Sequence, residues 1–228
     1  MNATPVITAA PTRVWEARLQ KAALIIARLT LAYLFFTQLW WKTPPGFGCP
    51  ADFAFTTGSV SDSRLQLQRT SGLCDWIGIE SVWARLPRLI LVSNLDNRGD
   101  PEIAIDIGFI ARLNGTFIDG FVKPNIQWFG YSVWGMEAFI FLSLFFGLFS
   151  RLGGLVALVQ GAQLTIGLAG IGNPVEWEWS YNWLVPLALV MIAFAPGRYL
   201  GLDALIRPRL LTAAEKGNRI ARALTRLT

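Results

Sequence analysis

Residues 176–203 read EWEWSYNWLVPLALVMIAFAPGRYLGLD: three tryptophans and a tyrosine crowd two carboxylates, then a run with no charge, Leu184–Gly197, closes on an arginine. The run alone is short for a membrane span, since a hydrocarbon core of about 30 Å takes about 20 apolar residues. It reaches spanning length when the aromatic segment is counted as its outer end. Indole and phenol rings settle at the membrane interface because the ring favours the apolar side while its N–H or O–H favours water. The stretch therefore reads as an interfacial belt leading into a transmembrane helix.

The rest of the chain repeats the pattern. Of 228 residues, 53% are hydrophobic and 15% charged, and the mean hydropathy is +0.43; a soluble domain carries about 25% charged residues. Long apolar runs occupy 22–41, 128–150, 152–171 and 183–195. Trp40 and Trp41 end the first run, and Trp128 and Trp134 begin the second. Arg13, Arg18 and Lys21 precede the first, Arg151 separates the second from the third, and Arg198, Arg207, Arg209, Lys216, Arg219, Arg222 and Arg226 follow the fourth. The positive-inside rule then predicts an all-α membrane protein, a bundle of four transmembrane helices with both termini cytoplasmic. The spans are 22–42, 128–150, 152–171 and 179–197, with a cytoplasmic lead-in at 1–21 and a basic amphipathic tail at 198–228 lying on the anionic leaflet. The host would be the inner (plasma) membrane. The net charge of +5 is accounted for by topology, and no nucleic-acid motif accompanies it. The first run, ending in QLWWKTPP without a small-residue cleavage site, reads as a retained anchor and not a cleaved signal.

Between the first two spans lies an extracytoplasmic insert, 43–127, too long for a plain connection. It carries the loop signals TPPGFG, DNRGDP and VKPN. Two short amphipathic helices are predicted in it. One covers about 75–94 and is interrupted at Pro87; the other has Asp100 as N-cap and Pro101 at its first position and runs to about Phe121. In the third span, small residues recur at Gly153, Ala157, Gly161, Thr165 and Ala169, a stripe that lets helix backbones approach closely in lipid.

Histidine is absent, which excludes a bis-histidine haem and a histidine-ligated copper or zinc centre in this chain. No haem or metal is expected. Cys49 and Cys74 both fall in the insert, on the oxidising side, and read as a structural disulfide; a dithiol redox pair is the alternative, but the C-x-x-C spacing that lowers a thiol pKa is missing. NGT at 114–116 and GLAGIG at 167–172 lack the context that would give either motif a meaning.

Polar side chains inside the spans are Arg28 and Gln38 on the first, Glu137 on the second, Gln160 and Gln163 on the third, and Asn182 at the mouth of the fourth. Ionisable groups in a membrane are costly and raise a functional hypothesis. By rise per residue, Arg28 lies roughly 9 Å from the cytoplasmic edge and Glu137 roughly 13 Å from the outer edge, a gap an arginine side chain can close. One reading is thus a buried Arg28–Glu137 pair that fixes helix register. The other is a ligand site: Arg28, Gln38 and Lys42 share a face of the first span. Gln160, Gln163 and Asn182 would donate hydrogen bonds to the carbonyl oxygens of a quinone, and Glu137 would serve as the catalytic proton carrier. Interhelical hydrogen bonding alone is the bland reading of the glutamines.

Four segments carry a resemblance: ARLTLAYLFFTQLWWK (27–42), FVKPNIQWFGYSVWGMEAF (121–139), LFFGLFSRLGG (144–154) and SYNWLVPLALVMIAFAPGRYLGLD (180–203). Together they make the chain similar to the DoxX family of small four-span membrane proteins, which includes the DoxD subunit of thiosulfate:quinone oxidoreductase. The resemblance implies an oxidoreductase subunit that passes electrons from a donor such as thiosulfate to quinone, with a second redox subunit supplying the rest. It is equally compatible with a noncatalytic accessory subunit of a larger respiratory or photosynthetic complex.

Overall fold

The computed structural model describes residues 14–61, 64–68, 72–93, 103–168 and 178–228. They are mostly helical. In chain order the elements are α1 (Val14–Leu39), the hairpin β1 (Thr57–Ser61) and β2 (Arg64–Gln68), α2 (Gly72–Trp83), the antiparallel pair β3 (Leu89–Ser93) and β4 (Ile103–Asp106), α3 (Gly108–Phe117), α4 (Ile126–Phe146), α5 (Ser150–Leu168), α6 (Glu178–Phe194), α7 (Leu202–Glu215) and α8 (Arg219–Leu227).

Among the described residues, three helical stretches are long and apolar enough to cross a membrane: Val14–Leu39, Gly108–Phe146 and Ser150–Leu168; a shorter apolar helix covers Trp183–Phe194. α1 packs against α4 and α6, and α5 against α4 and α6. Leu31, Ala32 and Phe35 of α1, Ile140 and Leu144 of α4, Ala157 of α5, and Leu184, Ala188 and Met191 of α6 form the shared core. Gly153 and Gly161 of the small-residue stripe, with Gly154 beside them, are places of close helix approach. A Cβ on Gly153 would meet Ser143 Oγ at 2.4 Å, one on Gly154 would meet Met191 Cβ at 2.7 Å, and one on Gly161 would meet Leu184 Cβ at 2.9 Å. Both α4 and α6 therefore approach α5 on glycine. Ala169 lies outside the described residues.

The insert differs from its sequence reading in three ways. The helix expected over 75–94 ends at Trp83, and residues 89–93 form β3 instead: Pro87 stops the helix, and the LILVS that follows is a run of strand formers. The helix expected from Asp100 begins at Gly108, after β4, with Asp106 Oδ1 accepting the Gly108 N–H at 2.7 Å; Asp100 and Pro101 lie outside the described residues. VKPN, read as a loop, is part of a continuous rod. α3 passes through a π-helical turn (Ile118–Val122) and a 3-10 turn (Lys123–Asn125) directly into α4, giving 39 helical residues. Pro124 has no N–H to give an α-helical ladder, and the change of helical pitch accommodates it.

A second core fastens the insert to this rod: Phe47, Leu73, Cys74 and Ile77 pack on Ile118, Val122, Ile126 and Val133. Cys49 and Cys74 are disulfide-bonded with Cα atoms 5.3 Å apart. Two glycines allow the strands of chain to meet there, since a Cβ on Gly72 (φ +59°) would lie 2.1 Å from the Gly48 carbonyl carbon. Asp119 clamps α2 to the π turn by accepting from Ser81 Oγ at 2.7 Å, Arg85 Nη2 at 2.8 Å and Lys123 Nζ at 2.6 Å. Burial pushes the Asp119 carboxyl up, but those hydrogen bonds and the Lys123 charge outweigh it and hold it down to about 2.

Candidate functional site

Where α2 and α3 pack onto one end of the helix bundle, they border a cavity of about 260 Å³. Its walls are mostly apolar: Leu34 and Phe35 from α1, Leu73 and Ile77 from α2, Phe117 from α3, Ile118 and Val122 from the π turn, Phe129, Val133 and Met136 from α4, Val159 and Leu164 from α5, and Leu184 from α6. Set among them are Gln38, Trp41, Lys42, Trp76, Glu80, Asn114, Glu137, Gln160 and Gln163. An apolar chamber with a few convergent polar groups is the usual form of a small-molecule site.

The polar groups come from both halves of the molecule. α1 ends at Leu39, and the turn that follows, Trp40–Lys42, brings Trp41 and Lys42 to the wall of the cavity. Its position is fixed by Trp134, whose Nε1 donates to Leu39 O at 3.3 Å. The turn delivers Lys42 to the carboxylate of Glu137, and both members of this ion pair are buried. Lys42 Nζ also lies 4.6 Å from the centroid of the Trp41 ring, which in turn is 6.1 Å from Trp76. The ion pair uses Glu137 Oε1; Oε2 is buried and has no hydrogen-bond partner among the described residues.

The second polar group is centred on Glu80. It occupies the inward face of α2 together with Leu73 and Ile77, at spacings of four and three residues. Its Oε2 accepts from Gln163 Nε2 at 2.7 Å and from Asn114 Nδ2 at 3.2 Å. Gly167 makes the room: a Cβ there would lie 2.3 Å from Glu80 Oε2. Burial pushes the Glu80 carboxyl up to about 7, against the two amide hydrogen bonds and the positive charges of Arg88 and Lys42. Arg88, also buried, donates to Ile166 O at 2.9 Å and Gly167 O at 3.1 Å, satisfying carbonyls at the end of α5, and its guanidinium sits 5.1 Å from the Trp83 ring centroid.

Of the side chains singled out in the sequence, Gln38, Lys42, Glu137, Gln160 and Gln163 meet at this cavity. Asn182 belongs to α6, with its side chain outside the described set. Arg28 does not line the cavity, and the Arg28–Glu137 pair is not formed. Glu137 takes Lys42 as its partner, while Arg28 sits at the opposite end of the bundle, with Nη1 3.4 Å from Pro196 O. Glycine explains why: a Cβ on Gly147 would be 2.3 Å from Arg28 Nη1 and one on Gly201 2.8 Å, so the guanidinium packs onto bare backbone there. Nearby, Asp203 accepts from Phe149 N at 2.7 Å, Ser150 N at 2.9 Å and Ser150 Oγ at 2.7 Å, capping the start of α5. Trp41, assigned to the aromatic belt with Trp40, lines the cavity; Trp40, Trp128 and Trp183 are exposed.

Glu80, Asn114 and Trp76 were not among the candidates. One signal was present for Glu80: in GLCDWIGIESVW it stands on the same helical face as Leu73 and Ile77, where a solvated acid does not belong. Among the described residues no group of three or more His, Cys, Asp or Glu side chains could hold a metal ion. No family model, curated protein or solved structure matches the chain.

Proposed function

We propose that the chain is the four-span membrane subunit of a quinone-linked redox complex, similar to the DoxX proteins, and that the cavity is its quinone site. In this reading both termini are cytoplasmic, the insert lies on the outer side of the inner membrane, and a second redox subunit delivers electrons from a donor such as thiosulfate. The topology is supported by the apolar helices, by the disulfide in the insert, which oxidising compartments favour, and by the gathering of basic residues beyond the other ends of the helices.

The observation that carries the quinone reading is the Lys42–Glu137 pair with its unused Glu137 Oε2 in an apolar chamber. Buried polar atoms are normally satisfied, and an unsatisfied one beside a cavity asks for a ligand. The residues fit a flat, apolar molecule with carbonyl oxygens. Lys42 and the amides of Gln38, Gln160 and Gln163 supply donors, Trp41 and Trp76 supply ring faces, and Glu137 Oε2 is an atom at which a proton can be held. A bound quinone would supply the two-electron chemistry that this chain's own side chains lack. Lys42 would orient a carbonyl oxygen of the bound molecule and offset negative charge on it, while Glu80, held by Gln163 and Asn114, ties the insert to the wall of the chamber.

The test is reduction of a quinone analogue by thiosulfate in membranes containing the chain and its co-purifying partners. Glu137→Gln is expected to slow turnover per folded molecule by on the order of a hundredfold, the contribution of a proton carrier. Unchanged turnover per folded molecule would make the carboxylate structural. The exposed apolar row Phe109, Ile110 and Leu113 on α3 favours a second reading, a noncatalytic accessory subunit that docks a larger respiratory or photosynthetic complex; it expects co-purification with a cofactor-bearing partner and no quinone binding by this chain.

A further inference from the structure

We propose that the cavity opens sideways into the lipid through a mouth between α4 and α5, edged by Phe117, Met136 and Val159. Its ligand is a quinone bearing a long hydrocarbon chain, with the head inside and the chain leaving through that mouth. The inference rests on the quinone reading of the cavity and adds to it the chain and the route of entry. Phe117, Met136 and Val159 line the cavity and are nevertheless 49%, 36% and 64% exposed, whereas the rest of the wall is buried or half-buried. A side chain that faces both the cavity and the outside marks where the two connect.

The three residues mark one place. α4 and α5 follow one another in the chain and pack together, touching where Gly153 backs onto Ser143. Met136 on α4 and Val159 on α5 both lie about 10 Å along the helices from that contact, by the rise per residue. Phe117 stands on the same side, because its ring is 6.5 Å from that of Phe129, which shares a face of α4 with Met136 two turns on. The packing of α5 explains the opening. Toward α6 it closes on glycine at two levels, Gly154 against Met191 and Gly161 against Leu184; toward α4 the close glycine contact is at Gly153. Beyond it, on the same face of α5, come Gln160 and Leu164, which line the cavity.

A ligand with a chain is indicated by depth and by volume. Met136 and Val159 are the central residues of α4 and α5, about 14 Å from either helix end. A mouth at that level of a membrane span faces hydrocarbon and not water. A molecule dissolved in the bilayer reaches it directly, while a water-soluble one must first cross lipid. Just inside stand Glu137 and Gln160, both buried and each next in sequence to a residue of the mouth. The cavity volume of about 260 Å³ lies below the roughly 300–1,000 Å³ of pockets that enclose a whole drug-sized ligand. It takes a ring-sized head and leaves the chain outside, in the lipid.

The experiment uses the full chain in nanodiscs. Equilibrium binding, corrected for uptake by protein-free nanodiscs, is compared for one benzoquinone head carrying either a methyl group or a decyl chain. Val159→Trp fills the mouth from its most exposed residue. It is expected to weaken binding of the decyl quinone on the order of tenfold, the cost of an overfilled contact, and to leave the methyl quinone unchanged. Leu155→Trp adds the same bulk one turn away on α5, at an exposed position outside the cavity wall, and is expected to bind both quinones as the unaltered chain does. Equal loss for both quinones in Val159→Trp, no loss in that variant, or equal loss in Leu155→Trp would overturn the mouth while the quinone site stands. No binding of either quinone by the unaltered chain would overturn both. Labelling of the unaltered protein decides independently of how the variants fold. A diazirine on the chain next to the quinone ring is expected to tag Met136 or Val159 and to be displaced by unlabelled decyl quinone; tagging confined to residues of α2 such as Trp76 would overturn the mouth.

Discussion

Lys42 and Glu137, 95 positions apart in the chain, form a buried ion pair that joins the turn after α1 to the middle of α4. A charge pair out of water contributes little net stability, but removing one partner strands the other. Lys42→Met is therefore expected to destabilise the detergent-solubilised protein by about 3–5 kcal/mol, read as a lowered unfolding midpoint. Lys42→Met/Glu137→Leu is expected to recover most of that loss.

Glu80 makes stability depend on pH in the opposite sense from a salt-bridged acid. Its carboxyl titrates at about 7 in the fold against an ordinary 4.5, so between those values the folded state holds a proton the unfolded state has released. Stability is full below 4.5 and falls as pH rises through 7, by at most about 3 kcal/mol. The hydrogen-exchange protection of α2, with the base-catalysed intrinsic rate divided out, is expected to fall as pH rises across this range, and Glu80→Gln is expected to abolish that fall.

Asp119 works the other way. Held at about 2 against an ordinary 3.8, it adds stability that is present above pH 3.8 and lost as pH falls through 2. Since its side chain is 36% exposed, solvent screening limits the contribution to roughly 1 kcal/mol. Asp119→Asn is expected to release α2 from the π turn with a correspondingly small fall in midpoint.

The disulfide closes a loop with its cysteines 25 positions apart, which loop entropy values at about 3 kcal/mol. Cys49→Ser/Cys74→Ser is expected to lower the midpoint and hasten proteolysis within 43–107. The α5–α6 contact is expected to persist, because it rests on glycine packing. Gly154→Val, aimed at Met191, should disturb that contact instead, at a cost of about 1–3 kcal/mol.

The apolar helices were legible because lipid demands long uninterrupted runs, and the polar residues of the cavity stood out because such runs tolerate few. Gln38, Lys42, Glu137, Gln160 and Gln163 could thus be named from sequence and do meet. Their pairing could not. The shared face of Arg28, Gln38 and Lys42 takes α1 as helical through Lys42, whereas the helix ends at Leu39 and Lys42, in the turn beyond it, pairs with Glu137. The insert was the least legible part. Its strands are four or five residues long, too short for a decisive alternation. Glu80 reaches Gln163 only because α2 docks on α5, across 83 positions of chain.

We propose above that the chamber shared by the insert and the bundle binds a quinone. The most direct measurement is photolabelling of the full chain in nanodiscs with an azido-quinone, followed by peptide mapping and competition with unlabelled quinone. Labelling is expected at cavity residues such as Trp41, Trp76 and Met136, displaced by competitor and reduced in Lys42→Met/Glu137→Leu. Labelling confined to exposed positions such as Phe145 and Phe146, undiminished by competitor, would contradict it.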